Sequence, residues 1–323
     1  MISFPGLGIG PFSIDPVAFK IFGLSVRWYG VLICIGMILA MTFIMIKAKY
    51  EKIKSDDMID ISIFTIIFSI IGARIYYVLF ELDNYIVKGD ILATLKKMVA
   101  IWEGGIAIYG ALIAGFITIF VMCRIKKLRF ATVLDVVAPG VMIGQIIGRW
   151  GNFVNMEAYG TATDLPWRMW LSTDGITHHP TFLYESLWNL IGFILIVIFY
   201  KKKKFHGQVF LFYMAWYGFG RMFIEGLRTD SLYLRLFGLD VRISQVVGFV
   251  TFVLGAVLMI VNFVKVKKYN DSRPAPAYYS EDPETSEPAV AEAAADVAEA
   301  DDTAADSLPD VPKGLDKKDD GDV

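Results

Sequence analysis

The sequence predicts an all-α polytopic membrane protein with seven transmembrane helices, an outer N-terminus, a cytoplasmic C-terminus and a disordered tail. Composition is the first reason, because 55% of the 323 residues are hydrophobic and the mean hydropathy is +0.52. The second is that seven apolar segments approach the roughly 20 residues that a helix needs to cross the hydrocarbon core. In chain order they cover residues 27–46, 58–80, 105–122, 132–147, 181–200, 208–223 and 243–264.

The position of the basic residues is the third reason, because clusters follow the first, third, fifth and seventh segments. They comprise Lys47, Lys49, Lys52 and Lys54, then Arg124, Lys126, Lys127 and Arg129, then Lys201 to Lys204, and finally Lys265, Lys267 and Lys268. Positive residues are enriched in cytoplasmic loops, so all four clusters are expected inside. The loops 81–103, 151–180 and 225–242 then face outward. The fourth and sixth segments are short and contain glycine, so their ends are the least defined.

Charge divides the chain into two regions. Residues 1–269 carry 27 basic and 17 acidic residues and form the predicted seven-helix domain. Residues 270–323 carry 16 acidic and 4 basic residues and are rich in Ala and Pro, which predicts an acidic, disordered cytoplasmic tail. Such a tail either binds a basic partner or is a solvated, dispensable extension.

Several classes of site and partner are not indicated by the sequence. Cys34 and Cys123 lie in apolar segments without a CxxC pattern, so we predict neither a disulfide nor a metal site. The three histidines, His178, His179 and His206, lack a zinc-ligand spacing. We therefore predict no metal site, and nothing in the sequence indicates a cofactor or a nucleic-acid partner. The first 16 residues lack a basic region before an apolar run, unlike a cleavable signal peptide.

Residues 148–157 (GRWGNFVNME) are the most informative segment for function. They close the fourth apolar segment with Arg149, Asn152, Asn155 and Glu157. A guanidinium and two amides suit recognition of phosphate, and charged groups at such a depth usually face a cavity or pathway. The alternative is an interfacial arginine that extends to lipid headgroups beside a glycine-capped helix end.

Arginines on two further helices are predicted at the same outer level. Arg74 lies about two turns from the outer end of the second segment, and Arg221 closes the sixth. Glu225 is four residues after Arg221 and shares its helical face, and Arg228 is one turn further. A purely structural ion pair is the alternative for Arg221 and Glu225. Three arginines at one depth instead predict bound anions, and phospholipid headgroup phosphates are the abundant anions there.

These motifs together resemble the prolipoprotein diacylglyceryl transferase family of bacterial inner membranes. Residues 148–157 match its signature closely, and further blocks follow in the family's order over nearly the whole membrane region. They are Trp28-Tyr29-Gly30, Gly72-Ala73-Arg74 with Tyr77, Trp102-Glu103-Gly104-Gly105, Asp135 with Ala138-Pro139, the HPTFLYE run from His179 to Glu185, and the block from Tyr217 to Arg228.

The resemblance implies a multi-pass bacterial cell-membrane enzyme whose active site opens to the outer leaflet. It implies transfer of the diacylglyceryl group of phosphatidylglycerol to the lipobox cysteine in the signal peptide of a preprolipoprotein, with release of glycerol phosphate. This is the first step of lipoprotein maturation. The implied partners are these two substrates and the surrounding membrane lipids.

Chemistry then assigns roles to the matching residues. Arg149 and Arg221 are predicted to bind the headgroup phosphate, with Asn152 completing the cage. Tyr109 is predicted to hydrogen-bond the thiol or phosphate, although many family members have a histidine there. Glu157 is predicted to orient an arginine or the glycerol hydroxyls. The remaining predicted substrate-binding residues are Tyr29, Arg74, Asn155, Tyr217, Glu225 and Arg228.

Three other classes compete with this interpretation. An anion transporter or channel would also place arginines within the membrane, but the polar groups concentrate at one face and no inverted repeat is evident. An intramembrane hydrolase would be expected to carry a GxSxG or HExxH motif, and neither occurs. A structural or receptor protein would give the arginine cluster no purpose.

Overall fold

A computed structural model of the chain describes residues 1–87, 89–231, 233–236, 239–269 and 277. Nine α-helices lie within these described residues. They are α1 (Trp28–Tyr50), α2 (Ser55–Phe80), α3 (Leu82–Tyr85), α4 (Ile91–Val99), α5 (Ile108–Ile125), α6 (Phe130–Val154), α7 (Thr181–Phe199), α8 (Gln208–Leu227) and α9 (Ile243–Tyr269). The prediction of a mostly helical membrane protein is confirmed. The predicted tail falls outside the described residues except for Ala277.

Each of the seven predicted apolar segments corresponds to one long helix. Six of these helices, α1, α2, α5, α6, α7 with its following turn, and α9, are long and apolar enough to cross a membrane. The exception is α8, whose 20 residues include Arg221 and Glu225. The fourth and sixth segments were predicted too short, because α6 continues to Val154 and α8 to Leu227.

Small residues allow the closest helix pairs to approach each other. A Cβ placed on Gly110 of α5 would lie 2.3 Å from the carbonyl oxygen of Gly72 on α2, so these backbones touch. A Cβ on Gly140 of α6 would lie 2.6 Å from a side-chain carbon of Ile44 on α1. Glycine permits such close crossings between membrane helices, because it has no side chain to separate the backbones.

Short strands form at one end of the helices and were not predicted. They are β1 (Ile2–Phe4), β2 (Ile9–Phe12), β3 (Val17–Ile21), β4 (Leu24–Arg27), β5 (Met169–Leu171), β6 (Thr177–His178), β7 (Tyr233–Leu236) and β8 (Leu239–Arg242). A four-stranded antiparallel sheet has the order β2-β1-β5-β6, and β3-β4 and β7-β8 are hairpins. The first sheet joins the N-terminal segment to the connection that follows α6, and Ile2 and Leu171 are buried in it.

A buried ionic cluster lies at the opposite end of α1, α6 and α7. The Nζ of Lys203 is 2.7 Å from Glu51 and 3.1 Å from Asp135. Backbone N–H groups of Gly207 and Phe210 also donate to the Asp135 carboxylate. The structure thus pairs Asp135, an acidic residue in an apolar helix, with a lysine. A buried carboxylate satisfied in this way joins the connection between α7 and α8 to α6.

Candidate active site

A buried carboxylate on α7 joins the two arginines of the predicted phosphate site. Glu185 is 3% exposed, and its Oε1 is 2.5 Å from Nη2 of Arg149 on α6. Its Oε2 is 3.1 Å from Nη1 of Arg221 on α8. Three helices therefore converge on one carboxylate, which fixes two guanidinium groups relative to each other.

A second buried carboxylate extends this cluster along α8. Glu225 is 2% exposed and lies 2.6 Å from Nη2 of Arg221, one helical turn away as the spacing predicted. Its Oε2 is also 3.9 Å from Nε of Arg228. Arg228 in turn donates to both carboxylate oxygens of Asp230, at 2.9 and 2.7 Å. These hydrogen bonds from Arg228 lower the pKa of Asp230.

The predicted amides lie just beyond, where α6 ends. Asn152 and Asn155 both donate to Oε1 of Glu157, at 2.9 and 3.4 Å. The chain can turn back here because Met156 and Ala158 adopt positive φ angles of 51° and 58°. Glu157 is exposed and orients the two amides in this structure.

Arg74 is surrounded by backbone carbonyls. It is 5% exposed, and its Nε donates to Met98 at 2.8 Å. Its Nη1 donates to Gly104 and Gly105, and its Nη2 to Lys97. These bonds hold the segment between α4 and α5 against α2. Arg74 thus stands apart from the contacts that link Arg149, Arg221 and Arg228.

The three predicted tyrosines occupy different positions around these groups. Tyr29 at the start of α1 packs on Gly151, where an added Cβ would lie 2.5 Å from the ring. Tyr109, partly buried at the start of α5, lies with its ring centroid 6.5 Å from that of Tyr76. Tyr217 on α8 interacts with Arg149, which places it in the arginine cluster.

Glu185 ends the HPTFLYE run but is not among the site residues that the sequence analysis predicts. Its signal in the sequence was an acidic residue within the apolar segment 181–200. A carboxylate in such a segment needs a cationic partner, and the arginines of neighbouring helices are the obvious ones.

The two histidines before α7 lie in the connection that follows α6. His178 is 2.8 Å from Asp174 and 2.9 Å from the carbonyl of Gly160. His179 lies 3.2 Å from the hydroxyl of Tyr184, and burial lowers the pKa of His179. Gly160 in turn forms a bridge with Arg228, so this connection packs against the end of α8.

Comparison with known proteins identifies relatives over most of the chain. Residues 16–261 match the family model for prolipoprotein diacylglyceryl transferase. A phosphatidylglycerol–prolipoprotein diacylglyceryl transferase of Finegoldia magna is 46% identical over 248 residues, which cover 76% of this chain and 95% of the relative. The enzyme of the same name from Listeria welshimeri is 44% identical over 286 residues, covering 85% and 97%. One from Streptococcus uberis is 45% identical over 255 residues, covering 76% and 95%.

Proposed function

The chain belongs to the prolipoprotein diacylglyceryl transferase family, and we infer that it transfers a diacylglyceryl group from phosphatidylglycerol to a prolipoprotein. It is a multi-pass membrane transferase of lipoprotein biosynthesis. The acceptor is the thiol of the lipobox cysteine in the signal peptide of the preprolipoprotein. A C–S bond forms at the terminal glyceryl carbon as its C–O bond to phosphate breaks. The cysteine loses its proton, and glycerol phosphate leaves.

The observation that carries this function is the pair of arginines held by Glu185. Arg149 and Arg221 bind the departing phosphate, because charge-assisted donors in a low-dielectric site stabilise developing negative charge. Glu185 uses only part of the five N–H donors of each guanidinium, so donors remain for the phosphate oxygens. Asn152 completes the cage when its amide turns from Glu157 to the headgroup.

Tyr109 is assigned to the acceptor side of the reaction. A cysteine with an ordinary pKa of about 8.5 is a few per cent thiolate at neutral pH, so a strong base is not compulsory. The positive field of the arginines enriches the thiolate. The Tyr109 hydroxyl hydrogen-bonds the thiol or a phosphate oxygen and orients the two for displacement.

The remaining predicted residues position the substrates. Tyr29 and Tyr217 line the approach to Arg149, and Asn155 with Glu157 binds the glycerol hydroxyls. Glu225 pairs with the Nη2 of Arg221, while Glu185 pairs with its Nη1, and Arg228 in turn lies beside Glu225.

The orientation that suits this chemistry has seven crossings, the N-terminus outside and the active site open to the outer leaflet. The pairing of β1 with β5 supports the placement of the N-terminal segment and the connection after α6 on the same side of the membrane. Four long helices, α1, α2, α5 and α6, lie between the two strands in the chain. An even number of crossings returns the chain to the same side. The crossing beyond the six clearly apolar helices is α8, whose two charged residues are ion-paired within the bundle.

The test uses purified full-length protein, phosphatidylglycerol and a peptide with a lipobox cysteine. Mass spectrometry is expected to find a diacylglyceryl increment on the cysteine peptide and none on a Cys→Ser peptide. Arg149→Ala and Arg221→Lys are expected to lower kcat about 100- to 1000-fold, because each removes phosphate donors. Tyr109→Phe is expected to lower it less, since one hydrogen bond is lost.

Arg124→Ala is the matched control for the arginine variants, because Arg124 is exposed at the end of α5 remote from Tyr109. It should retain full activity. Full turnover by folded Arg149→Ala protein would refute the phosphate assignment. Binding of phosphatidylglycerol without any peptide adduct in the parent chain would refute the transferase function.

A further inference from the structure

A polar cavity lies beside Arg74, next to the segment that leads into α5. Its volume is about 260 Å³, smaller than typical pockets for drug-sized ligands. It lies where α2, α3, α4 and the start of the α5 connection meet. Its lining residues are Arg74, Tyr77, Asn84, Tyr85, Lys97, Gly104 and Gly105. The arginine cluster of α6 and α8 contributes no residue to it.

The lining is dominated by hydrogen-bond donors. Arg74 is oriented by the four carbonyls that accept from it, and its guanidinium lies 5.0 Å from the ring centroid of Tyr85. Lys97 donates one bond to the carbonyl of Asn84 at 2.9 Å, which leaves two of its three protons. The hydroxyls of Tyr77 and Tyr85 can donate as well. Arg74 is therefore held in place before any ligand arrives, whereas Lys97 keeps protons for a ligand.

The positive charge of Arg74 and Lys97 is not balanced within the lining, since none of its described residues is acidic. The carboxylate of Glu81 is nearby in the chain but accepts from the Asn84 amide at 2.7 Å. Gly105 keeps the cavity open, because an added Cβ would lie 2.7 Å from Arg74 and 2.9 Å from the Tyr85 hydroxyl. Two cations and two hydroxyls around a small space form a binding site for an anion.

We propose that this cavity is a second anion site, separate from the Arg149–Arg221 pair, that binds the phosphate group of a glycerol phosphate ester. The group comes either from a lipid headgroup in the outer leaflet or from the free phosphate ester. The size of the cavity fits a headgroup and excludes acyl chains. The flexible Lys97 side chain contacts the phosphate group, and Arg74 supplies a fixed positive charge beside it.

The experiment uses full-length protein with Arg149→Ala, which weakens the first phosphate site. In phosphatidylcholine nanodiscs, glycerol phosphate is titrated and followed by calorimetry. In a second arm, native mass spectrometry measures retention of phosphatidylglycerol against phosphatidylcholine. Binding of the first probe identifies the free ester as the ligand, and selective retention of the second identifies the headgroup.

Two neighbouring lysines provide a matched pair of variants. Lys97→Gln is expected to raise the Kd of the bound probe about tenfold, because a charge-assisted hydrogen bond is lost. Lys96→Gln removes the same charge from an exposed residue outside the cavity and should leave the Kd unchanged. Lys97→Arg should retain binding, and Tyr85→Phe, which keeps the ring, should weaken it about threefold.

Equal effects of Lys97→Gln and Lys96→Gln would overturn the proposal, as would absence of binding for both probes. Thermal unfolding confirms that each variant is folded before titration. The transfer assay on the parent chain is separate, so failure of this site and failure of the transferase function are distinguishable.

Discussion

At the scale of single residues, Glu185 decides the geometry of the site. Burying a carboxylate is costly, and the cost is offset here by guanidinium groups from two other helices. Glu185 stabilises the arginines in turn, because Arg149 and Arg221 would repel each other without the negative charge between them. The spacing of the phosphate donors therefore depends on a residue that need not touch the substrate.

Replacing this carboxylate should change catalysis more than lipid binding. We expect Glu185→Gln to lower kcat about 100-fold, because small displacements of positioned groups cost about that much, while the KM for phosphatidylglycerol changes little. Glu185→Asp should recover part of kcat, since the charge is kept. The matched control is Asp56→Asn, which neutralises an exposed carboxylate at the start of α2 outside the cluster and should leave kcat unchanged. A purely structural role for Glu185 would appear as a lower unfolding temperature with unchanged kcat.

At the scale of elements, the crossing of α2 and α5 positions the start of α5. Gly110 follows Tyr109 and contacts the backbone of Gly72, so a side chain there must separate the helices. We expect Gly110→Ala to lower the unfolding temperature and to reduce transfer strongly, because Tyr109 moves with the helix. Thermal unfolding monitored by fluorescence and the transfer assay measure the two effects.

The control for this crossing is another helical glycine. A Cβ on Gly144 in α6 would meet no atom within 4 Å. Gly144→Ala should leave the unfolding temperature unchanged or raise it, because alanine favours the helix. Equal losses in Gly110→Ala and Gly144→Ala would contradict the close crossing.

Most long helices were predictable, since an apolar segment of this length has few alternatives in a membrane. The strands were not, because β1 and β5 are only three residues each and pair across about half of the chain. Arg149 and Arg221, which share Glu185 in the structure, stand out in the sequence because charged groups are costly within the membrane. The acidic partner of these arginines could not be predicted, because Asp135 and Glu185 are both acidic residues in apolar helices. Only the fold shows that Asp135 pairs with a lysine and Glu185 with arginines.

At the scale of the whole molecule, the orientation in the membrane gives a direct prediction. In a background without Cys34 and Cys123, Thr173→Cys should react with a membrane-impermeant maleimide in intact cells. Lys52→Cys should react only after the membrane is opened. Both positions are exposed in the structure, so accessibility reports the side. The reverse pattern would contradict the outer location of the connection after α6.

The division of the chain gives a second prediction at this scale. The described residues belong to a unit that ends at Tyr278, and the carbonyl of Ala277 accepts from the N–H of Arg129 at 2.7 Å. We propose that the acidic region beyond is not needed for catalysis. Truncation after Tyr278 should retain transfer and stability, whereas truncation after Tyr269 should lower the unfolding temperature slightly. Loss of transfer in the longer truncation would assign the tail a catalytic role.

The pairing of β1 with β5 has a consequence for biogenesis. About 165 residues separate the two strands, and at roughly 5–20 residues per second their synthesis takes on the order of 10–30 s. During that time β2 covers only one edge of β1, and the other, unpaired edge invites pairing with other chains. A newly inserted protein therefore passes through a vulnerable interval, which closes only when the fourth long helix has entered the bilayer and delivered the missing strand.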